Sequence, residues 1–433
     1  MSTKSLCCPS VIRLKNSSLH PPDIVDSPDP AAAAASDDIP WVLLEEKAYV
    51  ADRVNDTTAS TDSRCGKQIQ ATIVIAQPPR VSYICVFCRC SENRELREMV
   101  PLDPDVVATD GDLVLLRVVV RPEEGVLDGD DLYVYRPAVP SLTRLRRPLP
   151  DGSFSPHDIG PGRGNFVLYI YSSELETWST TTVTVDDQQF QQYQRDGFFL
   201  HINTKAISIG GEGGTVGFVD LWRGILLCDL FRVRDNPKLR YVPLQPTLQD
   251  GVLRGEDARI YRDIAVDDNG HFKYIEQELL ITDSSSGGHQ YINKDGWTSA
   301  VWSRPVPAAG SVPEGSWEMN CEIESFFVGD DVDNNDPDFE LLPVKLRDDG
   351  GRPLPLSDSL SVAQPTHSLH GDGHTVCFMV KVRPNDDKSW VIVVDMMRSR
   401  VQVVAEFNAE RYPDVGVAYK HSRISRYLKK ASG

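Results

Sequence analysis

From Trp41 onward, short runs of Val, Ile, Leu, Tyr, Phe and Trp alternate with clusters of Gly, Pro, Asp and Asn. Apolar and polar positions inside these runs tend to repeat every two residues, the period of a half-buried strand. Eighteen such runs can be read, from WVLLEEKAYV at Trp41 to RVQVVAEF at Arg400, with ELLPVKL at 340–346 among them. Stretches with a 3.6-residue period are nearly absent. The pattern predicts an all-β chain, and so many strands must hide their edges. A propeller does so by packing four-stranded blades face to face. Four strands per blade give about five blades, and unread strands would raise that to seven. Two tandem sandwiches are the competing arrangement, but neither 148–164 nor 328–340 divides the chain convincingly.

An internal echo favours the propeller. LLCDLFR at Leu226–Arg232 and IVVDMMR at Ile392–Arg398 share three apolar residues, Asp, two apolar residues and Arg. They lie 166 positions apart (392 − 226), a separation that suits three or four blades of roughly 40–55 residues. The first copy belongs to GFVDLWRGILLCDLF at 217–231, where a tight turn at Arg223-Gly224 predicts a hairpin. Phe218, Asp220 and Trp222 then share one face, and Ile225, Leu227 and Asp229 another. An unpaired buried carboxylate is prohibitively costly. Asp220 is therefore expected to bond Arg223 and nearby turn N–H groups, a structural role that the repeat at Asp395 supports.

The flanks differ in texture. Residues 1–40, with PPDIVDSPDPAAAAASDDIP at their end, have little to bury and read as a disordered tail and linker. Their first twenty residues overlap in composition with transit peptides, though a plain tail is the simpler expectation. The organisation expected is a tail over 1–40, one propeller-like domain over 41–428 and a short basic tail over 429–433. KHSRISRYLKK near the end offers Ile424, Tyr427 and Leu428 to dock as a short cap.

Charge narrows the functions. A formal charge of −18 opposes nucleic-acid binding, which starts from a basic footprint. No apolar run approaches the roughly 18 residues that span a bilayer. Nine cysteines, an odd number without a secretory signal, suggest reduced thiols in the cytoplasm or nucleus.

The VDLWRGILLCD segment, with LRYVPLQP, YRDIAV and KYIE after it, resembles the plant DUF1618 family, expanded in grasses. WVLLEEKAYVADR, PPRVSYICVF and YIYSSELETWS upstream, and WTSAVWSRP and WVIVVDMM downstream, extend the resemblance over Trp41 to Leu428. It implies an intracellular plant protein without established catalysis, close in texture to the propeller domains that follow F-boxes. Residues 1–40 show no F-box-like helical pattern.

Several motifs invite chemistry and are answered more simply by architecture. Cys65, Cys85, Cys88 and Cys90 supply four thiols for zinc. In an extended strand, however, Cys88 and Cys90 face away from Cys85. His367, His370 and His374 have ligand-like spacing, but THSLHGDGH reads as a solvated loop. DDVDNNDPDFE at 330–340 fails the calcium-loop template, with Asp336 at the glycine position and Leu342 at the twelfth. GGEGGTVG at 210–217 opens a strand and not the helix that a phosphate cradle needs, so it reads as a hairpin loop. No catalytic, cofactor-binding or metal site is assigned. The expected function is a monomeric, non-catalytic interaction scaffold whose acidic loops take an unknown protein partner, basic by charge. The alternative is an enzyme or small-ligand binder using carboxylates and histidines in a central channel. That alternative requires His367, Asp220, Asp229 and Asp395 to converge.

Overall fold

The computed structural model describes residues 14–23, 39–89, 99–120, 130–146, 165–186, 201–235, 237–245, 256–286, 289–311, 313–324, 360–368, 373–413 and 416–428. The fold is nearly all-β, and its five small sheets are the blades of a β-propeller arrangement. This is the low end of the range expected from the strand pattern. The chain forms two compact units, Met1–Ala76 with Ser82–Arg147 and Ser422–Gly433, and Gln77–Val81 with Pro148–His421.

In the first unit, one sheet is built on β1 (Val42–Glu45), β2 (Tyr49–Val50), β3 (Ala59–Asp62), β4 (Gln68–Val74) and β5 (Val81–Arg89). The other is the meander β6 (Asp105–Asp110), β7 (Leu113–Val118), β8 (Asp131–Arg136) and β9 (Ser141–Leu145). Alternate residues of β5 separate cleanly: Ile84, Val86 and Cys88 enter the main core of the unit, while Tyr83 and Cys85 pack with Tyr49.

In the second unit, β10 (Asn165–Ser172) and β11 (Thr177–Val185) form a hairpin. β11 then pairs parallel with the last strand of the next meander. That meander is β12 (Lys205–Gly210), β13 (Thr215–Asp220), β14 (Gly224–Asp229) and β15 (Lys238–Pro243). A third sheet follows: β16 (Arg262–Val266), β17 (His271–Ser286), β18 (His289–Pro305) and β19 (Glu318–Glu324). A fourth comprises β20 (Ser361–His367), β21 (Thr375–Lys381), β22 (Lys388–Asp395) and β23 (Arg400–Asn408). A last strand, β24 (Tyr419–Ser422), follows β23.

Two-sided burial explains the apolar run at 217–231. On β14, Ile225 and Leu227 join one core with Val242, Ile264 and Phe272, whereas Leu226 and Cys228 join another with Phe166 and Val183. A strand sandwiched between sheets reads as a continuous apolar run, since neither face meets water. Each such leucine contributes roughly 1.5–3 kcal/mol. The β13–β14 hairpin forms as expected, with Val219 opposite Ile225 and Asp220 opposite Gly224. Its turn, however, spans Leu221–Arg223, so Trp222 sits in the turn and not on the strand face with Phe218. Gly224 opens β14 because a Cβ there would lie 2.7 Å from the Val242 carbonyl and inside the Tyr241 ring.

The echo needs correction in its spacing. Asp229 ends β14 and Asp395 ends β22, each the third strand of a meander, and among the described residues the β16–β19 sheet alone lies between those meanders. The 166 residues therefore step across two blades and not three or four. Long strands, 16 residues in β17 and 17 in β18, take up part of the excess. ELLPVKL at 340–346 and the acidic 330–340 run lie outside the described residues. Among the described residues, no helix is long and apolar enough to cross a membrane.

Candidate functional site

The three carboxylates singled out by the sequence each belong to their own turn. Asp220, fully buried, accepts from Trp222 N at 3.0 Å and Ile202 N at 2.9 Å, and pairs with Arg223 Nη1 at 2.7 Å. The expected partners, Arg223 and turn N–H groups, are those observed. Asp229 accepts from Thr215 Oγ1 at 2.6 Å, Arg240 Nη2 at 2.8 Å and Gly310 N at 2.9 Å. Asp395 accepts from Met397 N and Arg398 N, both at 3.1 Å, and from Arg398 Nη1 at 2.8 Å. Burial pulls the Asp395 carboxyl upward, but the Arg398 hydrogen bonds and charge outweigh it and hold the group below the ordinary carboxylate value.

These groups do not converge. Asp220 and Asp229 flank opposite ends of β14, whose five residue steps of about 3.3 Å set them roughly 17 Å apart along the strand. Asp395 belongs to another sheet. Among the described residues, no hydrogen bond or ion pair connects any two of the three, or any of them to His367.

His367 departs most from expectation. It is the last residue of β20 and is fully buried, not part of a solvated loop. Its backbone N donates to Asp263 Oδ2 at 3.2 Å. Asp263 Oδ1 takes Lys205 Nζ at 2.7 Å, and the same ammonium donates to the Ile264 carbonyl at 2.8 Å. The first strands β12, β16 and β20 are thus fastened in a row. Neither ring nitrogen of His367 has a hydrogen-bond partner. Burial, seconded by the Lys205 and Lys273 charges and opposed by Asp263, depresses its pKa to about 4. The imidazole is neutral at pH 7 and too weak a base for proton transfer there, since a general base works best with a pKa near the operating pH. His374 lies just before β21, with Nδ1 4.0 Å from Cys321 Sγ. His370 is outside the described residues.

A second polar group escaped the sequence reading. Arg262 on β16 is almost fully buried, pairs with Glu276, donates to the Leu221 carbonyl at 2.9 Å and lies 4.4 Å over the Trp222 ring. Burial raises the Glu276 carboxyl to about 7, against the pull of Arg262. The signal was present in YRDIAV, where two adjacent charges interrupt an otherwise apolar strand. Such a pair must find partners on both faces.

The remaining candidates resolve as follows. Cys85 and Cys88 lie in separate apolar clusters on opposite faces of β5. Cys65 is half-buried beside Ser63 Oγ at 3.2 Å, and Cys90 lies outside the described residues. Among the described residues, no group of three His, Cys, Asp or Glu side chains is placed to hold a metal. GGEGGTVG closes the β12–β13 hairpin, with Gly210, Gly211 and Gly214 at φ of 75°, 71° and 56°. At the C-terminal end, Ile424 in the 3₁₀ turn Ile424–Tyr427 is fully buried and Leu428 packs partly against the same core. Tyr427 stays 47% exposed and lays its ring beside Gly111, so it docks only in part.

Comparison with known proteins gives one result that names a family. No curated protein matches the chain. A family model described as "Protein of unknown function (DUF1618)" matches residues 218–377, a span that begins on β13 and ends on β21. The VDLWRGILLCD hairpin, the Arg262–Glu276 pair and the Asp263–His367 link all fall within the matched residues.

Proposed function

We propose that the protein is a non-catalytic interaction scaffold that presents the turns of a propeller to a protein partner. The observation that carries this reading is the state of its carboxylates. Asp220, Asp229 and Asp395 are each saturated by an arginine and by backbone N–H groups of their own surroundings. Catalysis by acid and base asks for the reverse, two groups sharing one substrate position with acidities pushed apart. Here, carboxylates are used to fix the shape of turns, and shaped turns on a rigid scaffold are what recognition uses. The chain works as a monomer inside the cell, where its buried thiols Cys85, Cys88, Cys228 and Cys377 stay reduced.

Proximity labelling with the full chain in cells tests this. A recurrent set of partner proteins is expected. A stoichiometric small molecule released from the purified protein, with no recurrent partner, would overturn it.

A small-ligand or enzymatic reading has one observation in its favour. Lys205, Asp263 and His367 all lie on first strands, the strands that line the channel of a propeller. If they serve a ligand, His367→Gln abolishes its retention while Asp395→Asn does not.

A further inference from the structure

The echo at Asp229 and Asp395 runs further than the seven residues first matched. Asp229-Leu-Phe-Arg-Val-Arg234 and Asp395-Met-Met-Arg-Ser-Arg400 share Asp, two apolar residues, Arg, any residue, Arg. Both segments begin at the end of a third strand and lead to a fourth, β14 to β15 and β22 to β23. Radial repetition opens equivalent turns of propeller blades on the same face. In each segment the first apolar residue turns inward and the second turns out. Met396 is 1% exposed and Leu230 packs against the core, yet Phe231 is 76% exposed and Met397 58%.

Neither exposed side chain results from a loose loop. Phe231 N donates to Gly213 O at 3.1 Å, and its ring lies so close over Gly214 that a Cβ there would approach it to 2.8 Å. Met397 N is held by Asp395 Oδ1. The Phe231 ring and the backbone that carries Met397 are therefore held in place, and both side chains are left in water at equivalent positions. Aromatic residues and arginine dominate binding hot spots, and methionine adapts to varied partners.

The charge around them selects the partner. The chain as a whole carries −18, which favours basic molecules. These turns carry the opposite bias once each leading aspartate is set against its arginine: Asp229 pairs with Arg240, leaving Arg232 and Arg234 against Asp235, and Asp395 pairs with Arg398, leaving Arg400. Arg232, Arg234, Arg398 and Arg400 are all exposed, and Arg398 reaches back to Asp395. Glu212 in the neighbouring β12–β13 turn is the nearby exception.

We infer that the Phe231 and Met397 turns form a docking face for an acidic protein segment that brings apolar anchors flanked by Asp or Glu. This rests on the scaffold reading and names the chemistry of its partner. An arginine-flanked aromatic also suits RNA by stacking and phosphate contact, but the chain-wide negative charge repels a long polyanion and admits a short acidic segment.

The test uses the full chain as bait for a displayed library of random peptides, with uridine homopolymer RNA as a parallel probe. Selected peptides rich in Leu, Phe or Trp beside Asp or Glu are expected. Binding of the best one should weaken about tenfold or more in the double variant Phe231→Ser, Met397→Ser. It should weaken similarly in Arg232→Ser, Arg234→Ser, and fade as salt rises. Unchanged melting of both variants guards against misfolding. Peptides that are basic, or that bind wild type and both variants alike, would overturn this docking face while leaving the scaffold reading in place. RNA bound through the same arginines would overturn the choice of partner. If the chain selects no peptide at all, both readings fail together.

Discussion

The turns after Asp229 and Asp395 share a sequence skeleton and a place in their blades, but they are fastened in different ways. Asp229 draws on distant parts of the chain: Thr215 on the neighbouring strand, the buried Arg240 on β15 and the N–H of Gly310 beyond β18. Arg240 in turn donates to the Ala308 and Ser311 carbonyls at 2.7 and 3.1 Å. Asp395 draws on its own turn, the N–H groups of Met397 and Arg398 and an Arg398 side chain that is 76% exposed. One carboxylate ties a blade to a remote connection; the other closes a hairpin. The same motif can therefore carry very different weight in the fold, depending on how far its partners lie along the chain.

The largest expected effect breaks this comparison open. Asp229→Ala removes the carboxylate from a buried arginine and should destabilise by about 3–5 kcal/mol. Asp395→Ala leaves N–H groups that water can reach and an arginine already in solvent, so about 1 kcal/mol is expected. Chemical denaturation of the two variants measures the difference. Equal losses would mean that the Arg240 and Gly310 contacts contribute nothing beyond the local turn. Double-mutant cycles sharpen it: a coupling of about 1.5 kcal/mol or more for Asp229 with Arg240, against about 0.5 or less for Asp395 with Arg398.

Mild acid offers a way to hold the turns fixed while loading another part of the same unit. His367 and His201 are both buried, and burial depresses each to about 4 from an ordinary 6.5. The unfolded chain then binds more protons than the folded one between pH 6.5 and 4. Stability is full above pH 6.5 and declines as pH falls through that window, by on the order of 3 kcal/mol per histidine. Asp395, held below 3.8, keeps its contribution until the pH falls further. Denaturation curves from pH 7.5 to 4.5 should therefore slope downward in wild type and in Asp395→Ala alike, with a nearly constant gap between them. Glu276, raised to about 7, offsets roughly one histidine over this window, because its folded form takes up a proton that the unfolded chain does not. His367→Gln should therefore remove most of the remaining slope; a slope unchanged by that substitution would place the titration elsewhere.

What the sequence made legible follows from where water is absent. The third strands β14 and β22 are apolar throughout because both faces are buried, and they were read at once. Strands β6, β12 and β20 were missed, though each opens its sheet. KAISIG on β12 has little apolar signal, and SVAQPTH on β20 contains Gln, Pro, Thr and His. Gln364 sits at φ 55° in a register shift and reaches the Ala418 N–H and the Tyr419 carbonyl. Such strands are held by side chains bonded to neighbouring elements, a long-range property that periodicity does not encode. Lys205 and His367 lie on two of these missed strands, and Asp263 links them from a third that was read. Asp220 was legible for the opposite reason, since its arginine lies only three positions away.

The smallest effect tests whether the local turn is as autonomous as the comparison implies. Ser399, in the turn after Asp395, has φ 51°, a left-handed conformation that costs a non-glycine residue roughly 1 kcal/mol. The turn after Asp229 has no residue in this region among those described. If Asp395 and its neighbours alone set the turn, relieving that strain should stabilise the protein directly. Ser399→Gly is expected to gain about 0.5 kcal/mol, the relief partly offset by the greater freedom of glycine in the unfolded chain. The gain should persist in the Asp229→Ala background, because the two turns share no partner. A loss of stability, or a gain that vanishes in that background, would show that the second turn is held by more than its own residues.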